Sequence, residues 1–181
     1  AVSRPLSGVR ISLGLFAGLH PWLPPLACWF GSGVGHGGTG GHLYPAIAIA
    51  QRIQELRPDA KIRFVGTARG IENRVIPELG YPLSLIAVRG VARSFTLKNL
   101  LVPFVLVYSL LQCLFIMLKH RPAAVIGTGG YVSGPVLFTA GLLGFPTLIQ
   151  EQNGYPGATT RLLAKIVNRV HISFDDSRQY F

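Results

Sequence analysis

Acidic residues are scarce in this chain. Seven Asp and Glu stand against 17 Lys and Arg in 181 residues, a formal net charge of +10. That balance favours anionic partners. Cysteine is nearly absent as well: Cys28 and Cys113 lie far apart, which excludes a disulfide framework and suggests a reducing compartment. No Gly-Lys-Ser or Gly-Lys-Thr occurs, so a Walker-type phosphate loop is excluded. The five histidines and two cysteines show no ligand spacing, and neither a metal nor another cofactor is expected. Basic residues are scattered rather than blocked, and no aromatic-basic motif accompanies them. Nucleic acid is therefore a weaker partner than anionic lipid or a phosphorylated substrate. No internal repeat or low-complexity tract is evident, and the length suits one ordinary domain with a short extension.

Glycine, by contrast, is concentrated. The run His36-Gly37-Gly38-Thr39-Gly40-Gly41-His42 opens directly into the apolar stretch Leu43-Tyr44-Pro45-Ala46-Ile47-Ala48-Ile49-Ala50. Four glycines in five residues remove the side chains that would hold a bulky anion away from the backbone. The following helix presents unpaired N–H groups and the positive end of its dipole. Pro45 suits a first helical turn, where its missing donor costs nothing. Such a loop binds phosphate, diphosphate or a nucleotide, and His42 stands beside it.

A second glycine run, Gly127-Thr128-Gly129-Gly130-Tyr131-Val132-Ser133-Gly134-Pro135, follows the short apolar strand Ala124-Val125-Ile126. A third strand, at Leu148-Ile149, ends in the polar cluster Gln150-Glu151-Gln152-Asn153. Ligands of open α/β sheets gather beyond the carboxyl ends of the strands, where all three motifs fall.

The remaining pattern alternates helix and strand. Helices are predicted at about Pro45–Leu56, Glu72–Leu79, Leu100–Leu118, 134–143 and Ala158–Ile166. Strands are predicted at Lys61–Val65, Leu83–Val88, 123–126, Thr147–Ile149 and Arg169–Ser173. This order predicts an α/β fold, a Rossmann-like doubly wound parallel sheet. Residues 1–34, broken by Pro5, Pro21, Pro24 and Pro25, are expected to form an irregular extension, an altered N-terminus rather than an export signal. Residues 35–181 are expected to form the domain, and the run Gly31–His36 makes a poor strand by composition.

No acid occurs between Glu78 and Glu151, whereas Arg89, Arg93, Lys98, Lys119 and Arg121 fall there. Within that interval Leu100–Leu118 is uncharged and mostly apolar, long enough to cross a bilayer core of about 30 Å. Its place between two strands predicts a buried crossover helix. A helix lying in the membrane interface with flanking Arg and Lys on lipid phosphates, and a spanning helix, are the alternatives.

The strings Gly37–His42, Gly127–Pro135 and Glu151-Gln152-Asn153 resemble those of the bacterial peptidoglycan N-acetylglucosaminyltransferases. The resemblance continues through Gly66-Thr67-Ala68-Arg69-Gly70-Ile71-Glu72, Thr160–Lys165 and Ser173-Phe174. It implies the N-terminal, acceptor-side half of a two-domain GT-B glycosyltransferase, with the C-terminal donor domain absent from this chain. It also implies transfer of N-acetylglucosamine from UDP-N-acetylglucosamine to lipid I, giving lipid II, at the cytoplasmic face of the bacterial plasma membrane. A chain holding half of such a cleft is expected to turn over little by itself.

On that resemblance Thr39, Gly40, Gly41 and Asn153 contact the donor or a diphosphate, with Gly129 and Gly130 in the second loop. His42, Tyr131 and Glu151 surround the acceptor. Inverting transfer needs a base near the acceptor hydroxyl, and His42 and Glu151 are both candidates. The family usually has His where this chain has Gln150, which removes proton transfer at that position. Two rival functions differ in class. A Rossmann oxidoreductase wants an acid at the end of its second strand, and Phe64-Val65-Gly66-Thr67 has none. A non-catalytic membrane-anchoring module has no need of the polar cluster at 150–153.

Overall fold

The computed structural model describes residues 27–31, 41–88 and 102–181. Thr39, Gly40, Arg89, Arg93 and Lys98 lie outside the described residues. Strands β1 (Ala27–Gly31), β2 (Lys61–Gly66), β3 (Leu83–Leu85), β4 (Ala124–Gly127), β5 (Thr147–Glu151) and β6 (Arg169–Ile172) alternate with five helices. These are α1 (Leu43–Leu56), α2 (Glu72–Glu78), α3 (Val102–His120), α4 (Gly130–Leu142) and α5 (Ala158–Leu163). All strand pairs are parallel, in the order β3-β2-β1-β4-β5-β6. The doubly wound sheet is the expected one, and its order reverses between β1 and β4.

The first strand corrects the sequence reading. Residues 27–31, assigned to an irregular extension, form a central strand whose register sets Cys28 opposite Ile62 and Ala124. Ala-Cys-Trp-Phe-Gly is a good strand by composition, but it is only five residues long between Pro24-Pro25 and a glycine run. Other bounds shift less. β3 is shorter than predicted, α4 begins at Gly130 rather than 134, and a 3-10 segment at Asp175–Tyr180 was not predicted.

Alternation along the inner strands divides the core in two. Ile62, Phe64, Ile126 and Leu148 pack with Ala46, Ile49, Ala50 and Ile53 of α1 and with Ile76 of α2. Val65, Val125 and Ile149 face the other way, onto Cys113 and Met117 of α3, Val132 and Val136 of α4 and Leu163 of α5. A period of two on the strands thus feeds both faces of a covered parallel sheet. The buried positions of α1 recur at helical spacing, and the helix stops at Arg57, whose helical conformation Pro58 disfavours.

Helix α3 departs from the buried helix that was predicted. It is the crossover between β3 and β4, but its buried residues are only Ser109, Cys113 and Met117, spaced four apart on one stripe. Phe104, Val107, Tyr108, Leu111, Phe115 and Leu118 are exposed. At 100° per residue that set lies on the opposite face of the helix. Crossover position ensures that one stripe meets the sheet; it does not ensure that the remaining apolar residues find a cover.

Candidate functional site

Strands β1, β4 and β5 end at one edge of the sheet, where His42, Thr128 and the 151–153 segment come together at the strand-order reversal. His42 immediately precedes α1, and Thr128 follows β4. The two residues clamp the loops reciprocally. Thr128 Oγ1 donates to the His42 carbonyl at 2.7 Å, and His42 Nδ1 lies 2.9 Å from the Thr128 carbonyl oxygen. Thr128 is fully buried, so this bond is shielded from competing water.

Gly129 then takes φ +99° and Gly130 φ +77°, turning the chain sharply into α4. A side chain at Gly129 would begin 2.8 Å from His42 Nδ1, so the imidazole occupies space that only glycine leaves open. Ser133 Oγ donates to the Gly129 carbonyl at 2.7 Å and locks the turn from within α4. Tyr131, in the first turn of α4, is substantially exposed.

From β5, Glu151 is buried, and its Oε1 accepts from the Asn153 backbone N–H at 2.9 Å and from Asn153 Nδ2 at 2.8 Å. Gln152 reaches back, its side-chain amide nitrogen against His42 Nδ1. Gln150 turns inside, donating to Ser173 Oγ at 2.9 Å and tying β5 to the end of β6. The structure therefore joins His42, Gly129 and the 151–153 segment directly. Gly41 is exposed in the turn before α1.

A cavity of about 970 Å³ opens beside this edge. His42, Gly130 and Tyr131 line one part, and Leu106, Phe138 and Leu163 supply apolar wall from α3, α4 and α5. Among the described residues no group of three or more His, Cys, Asp and Glu could hold a metal. Two helix N-termini, those of α1 and α4, flank the edge and provide positive potential without a cation.

Sequence reasoning assigned no role to Thr128, Gln152 or Glu72. Glu72 is fully buried beyond β2, and its Oε1 accepts from Thr67 N at 2.9 Å and Thr67 Oγ1 at 3.0 Å. Its scarcity as an acid was the available signal. For Thr128 and Gln152 there was none beyond membership of a motif, because their partners are remote in sequence.

Residues 34–172 match the family model described as the glycosyltransferase family 28 N-terminal domain. The chain belongs to glycosyltransferase family 28. Its relatives include proteins named UDP-N-acetylglucosamine--N-acetylmuramyl-(pentapeptide) pyrophosphoryl-undecaprenol N-acetylglucosamine transferase. The one from Prosthecochloris aestuarii is 50% identical over 149 residues, covering 80% of this chain and 41% of that protein. That from Clostridioides difficile is 49% identical over 145 residues, covering 80% of this chain and 36% of that protein. The crystal structure of Acinetobacter baumannii MurG aligns with a TM-score of 0.71 at 31% identity, over 85% of this chain and 42% of that one. This family 28 chain thus spans about two-fifths of the length of the curated relatives it matches. Its sheet is the N-terminal half of a GT-B glycosyltransferase fold.

Proposed function

We propose that this chain is the acceptor-side half of an enzyme transferring N-acetylglucosamine from UDP-N-acetylglucosamine to lipid I. The observation that carries the reading is the convergence of His42, the Gly129-Gly130 turn and the Glu151–Asn153 segment at the switch point of the sheet. Gly41, Gly129 and Gly130, with Thr39 and Gly40 of the same motif, contact the diphosphate. Asn153, oriented by Glu151, offers a donor and an acceptor to the same ligand. Glu151 Oε1 supports Asn153, and this favours His42 over Glu151 as the base for the acceptor hydroxyl. The hydroxyl oxygen attacks the anomeric carbon, the bond to the diphosphate breaks, and UDP departs with the electron pair. The hydroxyl proton passes to His42. Tyr131 packs against the acceptor at the mouth of the cavity.

The exposed apolar face of α3 supports a peripheral position on the cytoplasmic surface of the plasma membrane. Phe104, Tyr108, Leu111, Phe115 and Leu118 dip into the interface, and Lys119 and Arg121 meet anionic lipid phosphates. The cavity between α3, α4 and α5 reaches His42 and offers a path for the first units of a prenyl chain.

Joining the chain to the C-terminal half of a relative and following labelled sugar into lipid tests the reading. The expected result is labelled lipid that disappears with His42→Ala. A folded chimera that binds vesicles but forms no product would instead identify an anchoring module.

A further inference from the structure

We infer that Gln152 is a positioning residue that, with the Thr128 carbonyl, holds His42 as the Nδ1–H tautomer and keeps its Nε2 lone pair for the acceptor. The inference deepens the transferase reading and rests on it for its functional meaning. Its structural content stands on hydrogen-bond logic alone.

A neutral imidazole has one N–H and one lone pair. His42 Nδ1 faces two groups at once: the Thr128 carbonyl oxygen at 2.9 Å and the side-chain amide of Gln152. The carbonyl can only accept. If Nδ1 carried the lone pair, it would stand against another acceptor, in a part-buried clamp that Thr128 Oγ1 closes from the other side. Nδ1 must therefore carry the proton.

That assignment settles the amide. An N–H pointing at the Gln152 NH2 sets donor against donor. The oxygen and nitrogen of a glutamine amide are interchangeable by rotation about the last side-chain bond. With the NH2 toward His42, Gln152 Oε1 is buried and has no hydrogen-bond partner. Turned over, the same oxygen shares the Nδ1–H with the Thr128 carbonyl. The rotation removes the donor–donor clash at Nδ1, gives that oxygen a share in a donor, and moves the NH2 to the position the oxygen leaves.

The consequence for chemistry is directional. With the proton on Nδ1, the lone pair of neutral His42 is on Nε2, and a base must present a lone pair to take the acceptor proton. The Thr128 carbonyl is a backbone group set by the second glycine loop, and Gln152 comes from the end of β5. Two strands thus fix one ring, much as a third group orients the base of a hydrolytic triad.

The test uses the full chain labelled with 15N-histidine, with His42 assigned by comparison with the H42N spectrum. Long-range 1H–15N correlations are recorded at a pH where the ring is neutral. The expected result is His42 protonated at Nδ1, with the Nε2–H form rising severalfold in Q152L and staying minor in Q152E. Glutamate keeps the accepting oxygen, so it also controls for any folding defect in Q152L. A predominantly Nε2–H ring in the parent chain, or loss of the Nδ1–H form in Q152E, would overturn the inference. In an active two-domain chimera, Q152L should lower kcat by about tenfold to a hundredfold, part of what a positioned base contributes. The KM for UDP-N-acetylglucosamine should stay within about twofold, and Q152E should restore most of kcat. An unchanged kcat in Q152L would refute the positioning role. Because the tautomer measurement needs no turnover, an inactive parent chimera would count against the transferase reading alone.

Discussion

Replacing Gly129 by alanine probes how closely the second glycine loop is built around His42. Gly129 has φ +99°, a region where an L-residue is strained by about 1–3 kcal/mol. Its new Cβ would start 2.8 Å from His42 Nδ1 and 2.9 Å from Cε1, closer than carbon is found in native packing. The imidazole has to move, and its 2.9 Å bond to the Thr128 carbonyl goes with it. A lost hydrogen bond of this kind costs about 0.5–1.5 kcal/mol. Together the two effects predict a destabilisation of about 2–4 kcal/mol. With a urea m-value of about 1–3 kcal/mol per molar, the unfolding midpoint should fall by about 1 M or more. Gly41→Ala is the control, since a Cβ there meets nothing within 4 Å. Its effect should stay within about 0.5 kcal/mol. Equal midpoints for G129A and G41A would refute the close packing of imidazole on glycine.

Met117→Ala, in the buried stripe of α3, should destabilise the chain by about 2–5 kcal/mol in the same titration, whereas Phe104→Ser should leave stability nearly unchanged. The double variant F104S/F115S should lose at least about tenfold in sedimentation with anionic vesicles, since each exposed ring adds about 1–2 kcal/mol on insertion. Burial, with Arg169 adding to it, pushes His171 below its usual 6.5. The unfolded chain then binds the extra proton first, so stability should fall as pH drops through 6.5 and level off below the folded value. Urea midpoints for H171Q should lack that component. Burial also pushes the Cys113 thiol up to about 12, so in a C28S background it should resist a thiol reagent until urea is added.

The motifs were legible because they are local. A glycine run before an apolar helix states its chemistry within a dozen residues, and the alternation of strand and helix states the parallel sheet. His42, Gly129, Gly130, Tyr131, Glu151 and Asn153 could be picked out on those grounds. The strand at Ala27–Gly31 was missed because five residues between two prolines and a glycine run carry too little periodicity. Its status as the central strand comes from pairing with β2 and β4, and neither neighbour is near in sequence.

By itself, then, the sequence determined the α/β class, the positions of most elements and the glycine-rich, polar character of the sheet edge. These follow from backbone freedom, side-chain periodicity and charge, which are properties of short segments. Tertiary structure alone decided which face of α3 is covered, because burial depends on what the helix meets. The same holds for the ring of His42, held by a carbonyl just beyond β4 and an amide just beyond β5. For Glu151, read from sequence either as a base or as the support of Asn153, the folded chain shows its Oε1 accepting from Asn153. A hydrogen bond needs atoms about 3 Å apart, and between remote positions only the folded chain supplies that distance.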